Sequence, residues 1–242
     1  MATFVAARQA SSPAVSAIHP WMCALITSTS FNRNRVRLLL CAAMAVTALA
    51  ACDSPSPTAP APAKDFHDTF AQDLGLWETF TEGNASAAIT GGQLVITVAA
   101  PSSVGLSLCA LNVSDFDLTV TTSQASGGAG NSLGAILRYT TPRNFYRFDV
   151  TGDGLWGFSR RQNNDWVRIV DLTQSSAINT GGGANLLRVT AHGSRFEFYA
   201  NGALLGRATD TNETVGRVGL FAASFDDPNI QAAFDDITVS LP

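Results

Sequence analysis

Hydrophobic residues follow two different patterns along this chain. Leu38-Leu39-Leu40-Cys41-Ala42-Ala43-Met44-Ala45-Val46-Thr47-Ala48-Leu49 is a nearly continuous apolar run. From residue 65 onward, apolar and polar residues alternate with period 2, and no stretch holds a helical period. The alternation predicts strands over about 66–71, 76–81, 85–90, 93–99, 104–110, 115–123, 132–140, 144–151, 155–162, 165–172, 185–192, 195–200, 203–209, 216–224 and 230–240. Strands recurring every 8–12 residues with turn residues between them predict an all-β sandwich or barrel. Gly127-Gly128-Ala129-Gly130 and Gly181-Gly182-Gly183 read as loops.

Turn length fixes pairing register, because a one-residue slip turns every side chain to the other face. A two-residue turn at Gly193-Ser194 pairs Ala191 with Phe196 and Val189 with Phe198, and glycine first is the composition of a type II′ turn. Asn201-Gly202 carries a type I′ signal. Between 144–151 and 155–162, Asp153-Gly154 as a two-residue turn would put Trp156 outside. A three-residue loop, Gly152-Asp153-Gly154, instead pairs Val150 with Trp156, Phe148 with Phe158 and Tyr146 with Arg160. That register predicts the longer loop, with Gly154 left-handed. Asn163-Asn164 then pairs Phe158 with Ile169 and Arg160 with Val167.

The same registers place Phe145, Arg161 and Trp166 in one outward cross-strand row. Arg147, Ser159 and Arg168 form the next row, and Asp149, Gly157 and Val170 the third. Arg138 joins this face if Ala135, Leu137 and Tyr139 point to the core. Aromatic rings stack on the apolar faces of sugars, and Arg and Asp bind hydroxyls bidentately. Gly157 would leave room for a ligand to approach the sheet. The alternative is a solvated face of cation–π and ion pairs. Arg188 and Tyr199 are expected neighbours on another outward face.

Charge divides the chain where the pattern does. The 242 residues carry a net charge of −4, and only 14% of them are charged. Residues 1–51 hold Arg8, Arg33, Arg35 and Arg37 and no acid, a charge of +4, leaving −8 for the remainder. This acidic balance excludes general attraction to nucleic acid. The apolar run after Arg37 is short for a membrane span and of the right length for a signal-peptide core. It ends in Leu49-Ala50-Ala51-Cys52, which resembles the bacterial lipoprotein signal box. The resemblance implies removal of residues 1–51 and lipidation of Cys52. Acyl chains at roughly 0.8 kcal/mol per buried CH₂ would anchor the protein to a membrane, extracytoplasmic in the cell envelope. Met22 is an alternative start. Asp53 resembles an inner-membrane retention signal of some bacteria, and the leaflet stays open. Residues 52–64, with Pro55, Pro57, Pro60 and Pro62, form a semi-rigid tether to a folded domain at 65–242. Cys109 alone remains in that domain, so no disulfide framework is available, and its place in a strand predicts an inert thiol.

The domain also resembles the concanavalin A-like lectin/glucanase superfamily in its laminin-G-like bacterial form. The residues carrying the likeness are Phe145-Tyr146-Arg147-Phe148-Asp149-Val150, Asn185-Leu186-Leu187-Arg188-Val189-Thr190, Phe196-Glu197-Phe198-Tyr199-Ala200-Asn201-Gly202, Gly216-Arg217-Val218-Gly219-Leu220-Phe221 and Phe234-Asp235-Asp236-Ile237-Thr238-Val239. It implies a jelly roll of two antiparallel sheets. The superfamily's β-glucan hydrolases carry Glu-x-Asp-x-x-Glu on one strand as acid/base and nucleophile. That motif is absent here; Asp115 and Asp117 share a strand face without the third acid. His67 and His192 have no triad or zinc-ligand spacing around them. Some relatives hold structural calcium where the first and last strands meet, which would use Asp68, Asp235 and Asp236; turn capping or arginine pairing is the alternative.

Three functions follow as expectations. The first is a lipoprotein binding a ligand, carbohydrate above all, without catalysis, through Arg138, Phe145, Arg147, Asp149, Arg161, Trp166 and Arg168. The second is a hydrolase of the same fold using dispersed acids. The third is a structural or adhesion role with an envelope protein as partner.

Overall fold

Turn chemistry organises the folded region into consecutive hairpins. The structure, a computed structural model, describes residues 65–242. The signal-peptide, Cys52 and tether expectations lie outside the described residues. Fifteen strands form among the described residues: β1 (Phe66–Asp68), β2 (Phe80–Glu82), β3 (Ala85–Thr90), β4 (Gln93–Val98), β5 (Val104–Val113), β6 (Phe116–Ser126), β7 (Ser132–Thr141), β8 (Asn144–Thr151), β9 (Leu155–Gln162), β10 (Asp165–Gln174), β11 (Asn185–His192), β12 (Arg195–Ala200), β13 (Ala203–Thr209), β14 (Gly216–Ala223) and β15 (Ile230–Ser240). They build two antiparallel sheets. The six-stranded sheet runs β10-β9-β8-β7-β14-β5. The nine-stranded sheet runs β13-β12-β11-β6-β15-β4-β3-β2, with β1 added beside β15.

The hairpin registers agree with the turn signals. Ala191 pairs with Phe196 and Val189 with Phe198 across Gly193-Ser194. Asn201 and Gly202 have φ of 52° and 83°, the double positive φ of a type I′ turn. Val150 pairs with Trp156, Phe148 with Phe158 and Tyr146 with Arg160. The loop between them is therefore the three-residue one, and Gly154 takes φ 91°. The first two expected strands are shorter than the alternation suggests. Asp68 ends β1 by accepting the backbone N–H of Phe70 at 2.8 Å, and Phe70 turns to φ 53°. Ahead of β2, Trp77 makes only an isolated bridge to Cys109.

Facing rows of aromatic rings hold the sheets together. Phe198 of β12 lies 4.9 Å from Phe148, 4.6 Å from Phe158 and 5.7 Å from Trp156, between ring centroids. Phe196 lies 5.1 Å from Phe158 and 5.2 Å from Tyr146. These are tilted pairs, worth about 0.5–1.5 kcal/mol each beyond the area they bury. Trp156 packs over Gly206 of β13, where a Cβ would stand 2.7 Å from the indole ring. Cys109 is fully buried, and burial pushes its thiol pKa up, so little thiolate forms.

A polar network closes one end of this core. Tyr146 Oη donates to Asp210 Oδ1 at 2.6 Å and accepts the Glu213 N–H at 3.0 Å. Asp210 also binds Arg160, which compensates that cation where it faces the core.

Candidate functional site

Alternation along β7, β8, β9 and β10 turns every second side chain away from the other sheet. Row by row, Phe145 pairs with Arg161 and Arg161 with Trp166; Arg147 pairs with Ser159 and Ser159 with Arg168; Asp149 pairs with Gly157. The structure therefore brings Phe145, Arg147, Asp149, Arg161, Trp166 and Arg168 onto one face. It differs from the sequence expectation at three places.

Arg138 is not on this face. Its φ is 49°, and the β7–β8 register shifts between Leu137 and Thr141. This bulge re-aims the side chain inward. There the guanidinium lies 5.0 Å from the Phe196 ring centre and donates to the carbonyl oxygens of Ser114 and Glu213. Tyr139 takes the outward place, stacked on Phe145 at 5.6 Å. Gly216 makes the bulge sterically feasible, since a Cβ there would stand 2.4 Å from the Arg138 carbonyl carbon.

Val170 does not continue the third row. A bulge between Arg168 and Val170 pairs Phe158 with Val170, not Ile169. Gly157 is also not an opening. A Cβ there would meet Leu172 Cδ2 at 3.1 Å and the Val170 carbonyl oxygen at 3.2 Å. The sheet needs Gly157 for its own packing.

Two of the three residues proposed for calcium, Asp68 and Asp236, are engaged elsewhere. The Asp68 carboxylate caps Phe70 and accepts the Trp77 indole N–H at 3.0 Å. Asp236 pairs with His67 at 2.6 Å. No group of three or more His, Cys, Asp or Glu among the described residues could hold a metal ion.

The face has an aromatic and cationic half on β8–β10 and an apolar half on β7, β14 and β5. Trp166 meets Phe145 edge-on at 5.7 Å. The Arg147 guanidinium lies 4.6 Å from the Trp166 ring centre and 5.0 Å from that of Phe221, and Arg161 lies 5.6 Å from Trp166. Phe221, Ile136 and Leu108 complete a small apolar cluster with Phe145. Arg147 Nε sits 2.9 and 3.1 Å from the two Asp149 oxygens. Burial nevertheless pushes the Asp149 carboxyl pKa up, against the lowering pull of Arg147 and Arg168. Tyr139, Phe221 and Leu108 were not foreseen as members. The alternation in 216–224 and 104–110 already offered a second face for Phe221 and Leu108, and Tyr139 needed the bulge.

Two buried hydroxyls flank the carboxylate. Ser132 Oγ lies near Asp149 but outside hydrogen-bond geometry, and neither it nor Ser159 Oγ has a hydrogen-bond partner among the described residues. Arg168 is exposed, and no hydrogen bond, ion pair or ring contact within the described residues engages it. The outward face of the nine-stranded sheet makes a contrast. Asp117 clamps Arg188 through two bonds of 2.8 and 2.5 Å, Arg188 lies 5.1 Å from the Tyr199 ring centre, and Tyr199 and Arg207 both bind Glu197. That lattice satisfies itself. On the six-stranded face, Arg168 stands outside any such lattice.

No protein-family model and no curated protein sequence matches the chain. Solved structures do. A carbohydrate binding module, CBM66, from Bacillus subtilis is 20% identical over 67% of this chain and 93% of its own, with a TM-score of 0.53. The β-glucanase of Bacillus licheniformis is 14% identical over 75% of this chain and 100% of its own, with a TM-score of 0.59. The Crh5 transglycosylase in complex with NAG is 10% identical over 74% of this chain and 84% of its own, with a TM-score of 0.56. At these identities the likeness is one of fold, and residues 65–242 form a jelly roll of two antiparallel sheets.

Proposed function

We propose that this domain binds carbohydrate, without catalysis, on the outward face of the six-stranded sheet. The carrying observation is the exposed Arg168 guanidinium, engaged by no other described side chain, beside the Phe145–Trp166 aromatic row. Stacking on Trp166 would supply apolar contact, and the charged groups beside it would fix orientation. The named activities of the neighbours in fold, a carbohydrate binding module and a β-glucanase, support the same class of ligand.

Binding is favoured over hydrolysis by the surroundings of Asp149. A two-carboxylate mechanism sets a pair of acids about the scissile bond. The charged neighbours of Asp149 are instead Arg147 and Arg168, while Glu78, which acts on Tyr139 at the other end of the face, is held by Arg217 at 2.6 Å. A glycan array is expected to give hits that weaken at least about tenfold in Trp166→Ala or Arg147→Ala, the size of one lost stacking or charge-assisted contact. Trp166→Ala should keep the wild-type melting temperature within a few degrees, whereas Arg147→Ala, which strips the buried Asp149 of its ion pair, should lower it, so its binding is read well below its own unfolding transition. Hits indifferent to both substitutions would overturn the site. Turnover of a disaccharide or β-glucan panel abolished by Asp149→Asn would overturn the non-catalytic reading. A captured envelope protein that no glycan of the array displaces would favour the adhesive one.

The domain is further proposed to be displayed outside the cytoplasm by lipid on Cys52, with residues 53–64 as spacer. Metabolic labelling with an alkyne fatty acid should mark the wild type and not Cys52→Ser, which should move to the soluble fraction. Equal labelling of both would refute the anchor.

A further inference from the structure

The charge on the six-stranded face runs against that of the rest of the chain. Arg147, Arg161 and Arg168 stand on three adjacent strands within two successive rows, and Asp149 is the acid placed among them. The chain outside residues 1–51 carries −8. A positive island on an acidic molecule draws an anionic ligand more strongly than a neutral one.

The guanidinium groups are also not equivalent. Arg147 is consumed by its ion pair with Asp149 and its place over Trp166 and Phe221. Arg161 lies against Trp166 and donates to Asn164 Oδ1 at 2.5 Å. Arg168 is near enough to act on Asp149, yet makes no direct bond to it or to any other described residue. It stands opposite Ser159, whose hydroxyl is buried and unpartnered, and Ser132 is unpartnered on the far side of Asp149. Thus one planar, permanently charged fork lies exposed on β10, next to an aromatic row.

We infer that the sugar taken by this face is acidic: its carboxylate docks on the exposed Arg168 guanidinium, beside the Phe145–Trp166 row. The inference rests on the carbohydrate-binding reading and adds the ligand's charge. Guanidinium and carboxylate are planar and match in a two-bond fork, whereas a neutral sugar would leave Arg168 with water. Asp149 has a second use in this arrangement. By neutralising Arg147 it leaves Arg168 as the cation for the ligand, and it repels a carboxylate placed anywhere else along its row.

The test uses the folded chain and an array of uronate oligosaccharides, each beside its carboxyl-reduced neutral counterpart, with sulfated neutral oligosaccharides as a third arm. Uronates are expected to bind at least tenfold more tightly than their reduced counterparts, and the difference should shrink as NaCl rises. Arg168→Gln should lower uronate affinity at least tenfold, to near that of the reduced sugar, and lower the reduced sugar's own affinity by a far smaller factor; Arg168→Lys should retain part of the preference. Arg168 is exposed, so these variants should fold as the wild type does. Equal binding of acidic and reduced sugars, or an equal loss for both in Arg168→Gln, overturns the inference and leaves carbohydrate binding standing. Preference for the sulfated arm overturns the carboxylate assignment. No binding in any arm overturns the inference and the proposed function together.

Discussion

Phe198→Ala is expected to remove about 3–5 kcal/mol of folding free energy, the usual cost of truncating a core phenylalanine. Phe198 is the one ring of the nine-stranded sheet that meets Phe148, Phe158 and Trp156 together. Its removal leaves those three rings without their shared partner, and a sheet cannot collapse locally to refill the space. The measurement is urea unfolding of both proteins, with the midpoint shifting and the slope unchanged. For a domain of this size the melting temperature should fall by about 10 °C. A loss under about 1 kcal/mol would show that the ring cluster does not join the sheets.

Tyr146→Phe should cost about 1–3 kcal/mol at neutral pH, because it leaves Asp210 short of a donor and the Glu213 N–H short of an acceptor. The pH dependence gives a separate signature. Burial, followed by the hydrogen bond to Asp210, pushes the Tyr146 hydroxyl from 10 up to about 12. The folded state then holds this proton more tightly than the unfolded state does. The corresponding stability is complete below pH about 10 and is lost as pH rises toward about 12, a change on the order of 2 kcal/mol. Tyr139 and Tyr199 are raised as well, so the signal lies in the difference between wild type and variant. Parallel stability curves between pH 9 and 12 would exclude this role for Tyr146.

The hairpins were legible because two local signals agreed. Alternation says which residues share a face, and turn composition says how many residues the loop holds. At Gly152-Asp153-Gly154 only one loop length satisfies both, and the structure adopts it. The outward rows at Arg161–Trp166 and Ser159–Arg168 followed by the same logic. Bulges broke it. One residue inserted at Arg138 exchanges the faces of Arg138 and Tyr139, and an arginine in the left-handed region carries no local mark. The only hint was remote: Gly216, whose missing side chain admits the Arg138 backbone. The same holds for Gly157, where a glycine that would admit a ligand and a glycine that admits Leu172 look alike in sequence. Aspartates at strand ends were equally ambiguous. Asp68 could cap a turn or ligate a cation, and its choice depended on where Trp77 would stand.

The order of strands has a consequence for how the chain reaches this state. β15, the last strand, lies inside the nine-stranded sheet, with β6 along one side and β4 and β1 along the other. Until residues 230–240 are available, β4 and β1 lack the neighbour that joins them to β6. The first strand waits for the last: Phe66 finds its partner in Val239. Pairings of such long sequence separation form slowly, since loop closure precedes the contacts that reward it. The nine-stranded sheet of this protein therefore stays incomplete until residues 230–240 are in place. That delay leaves unpaired strand edges in need of protection meanwhile.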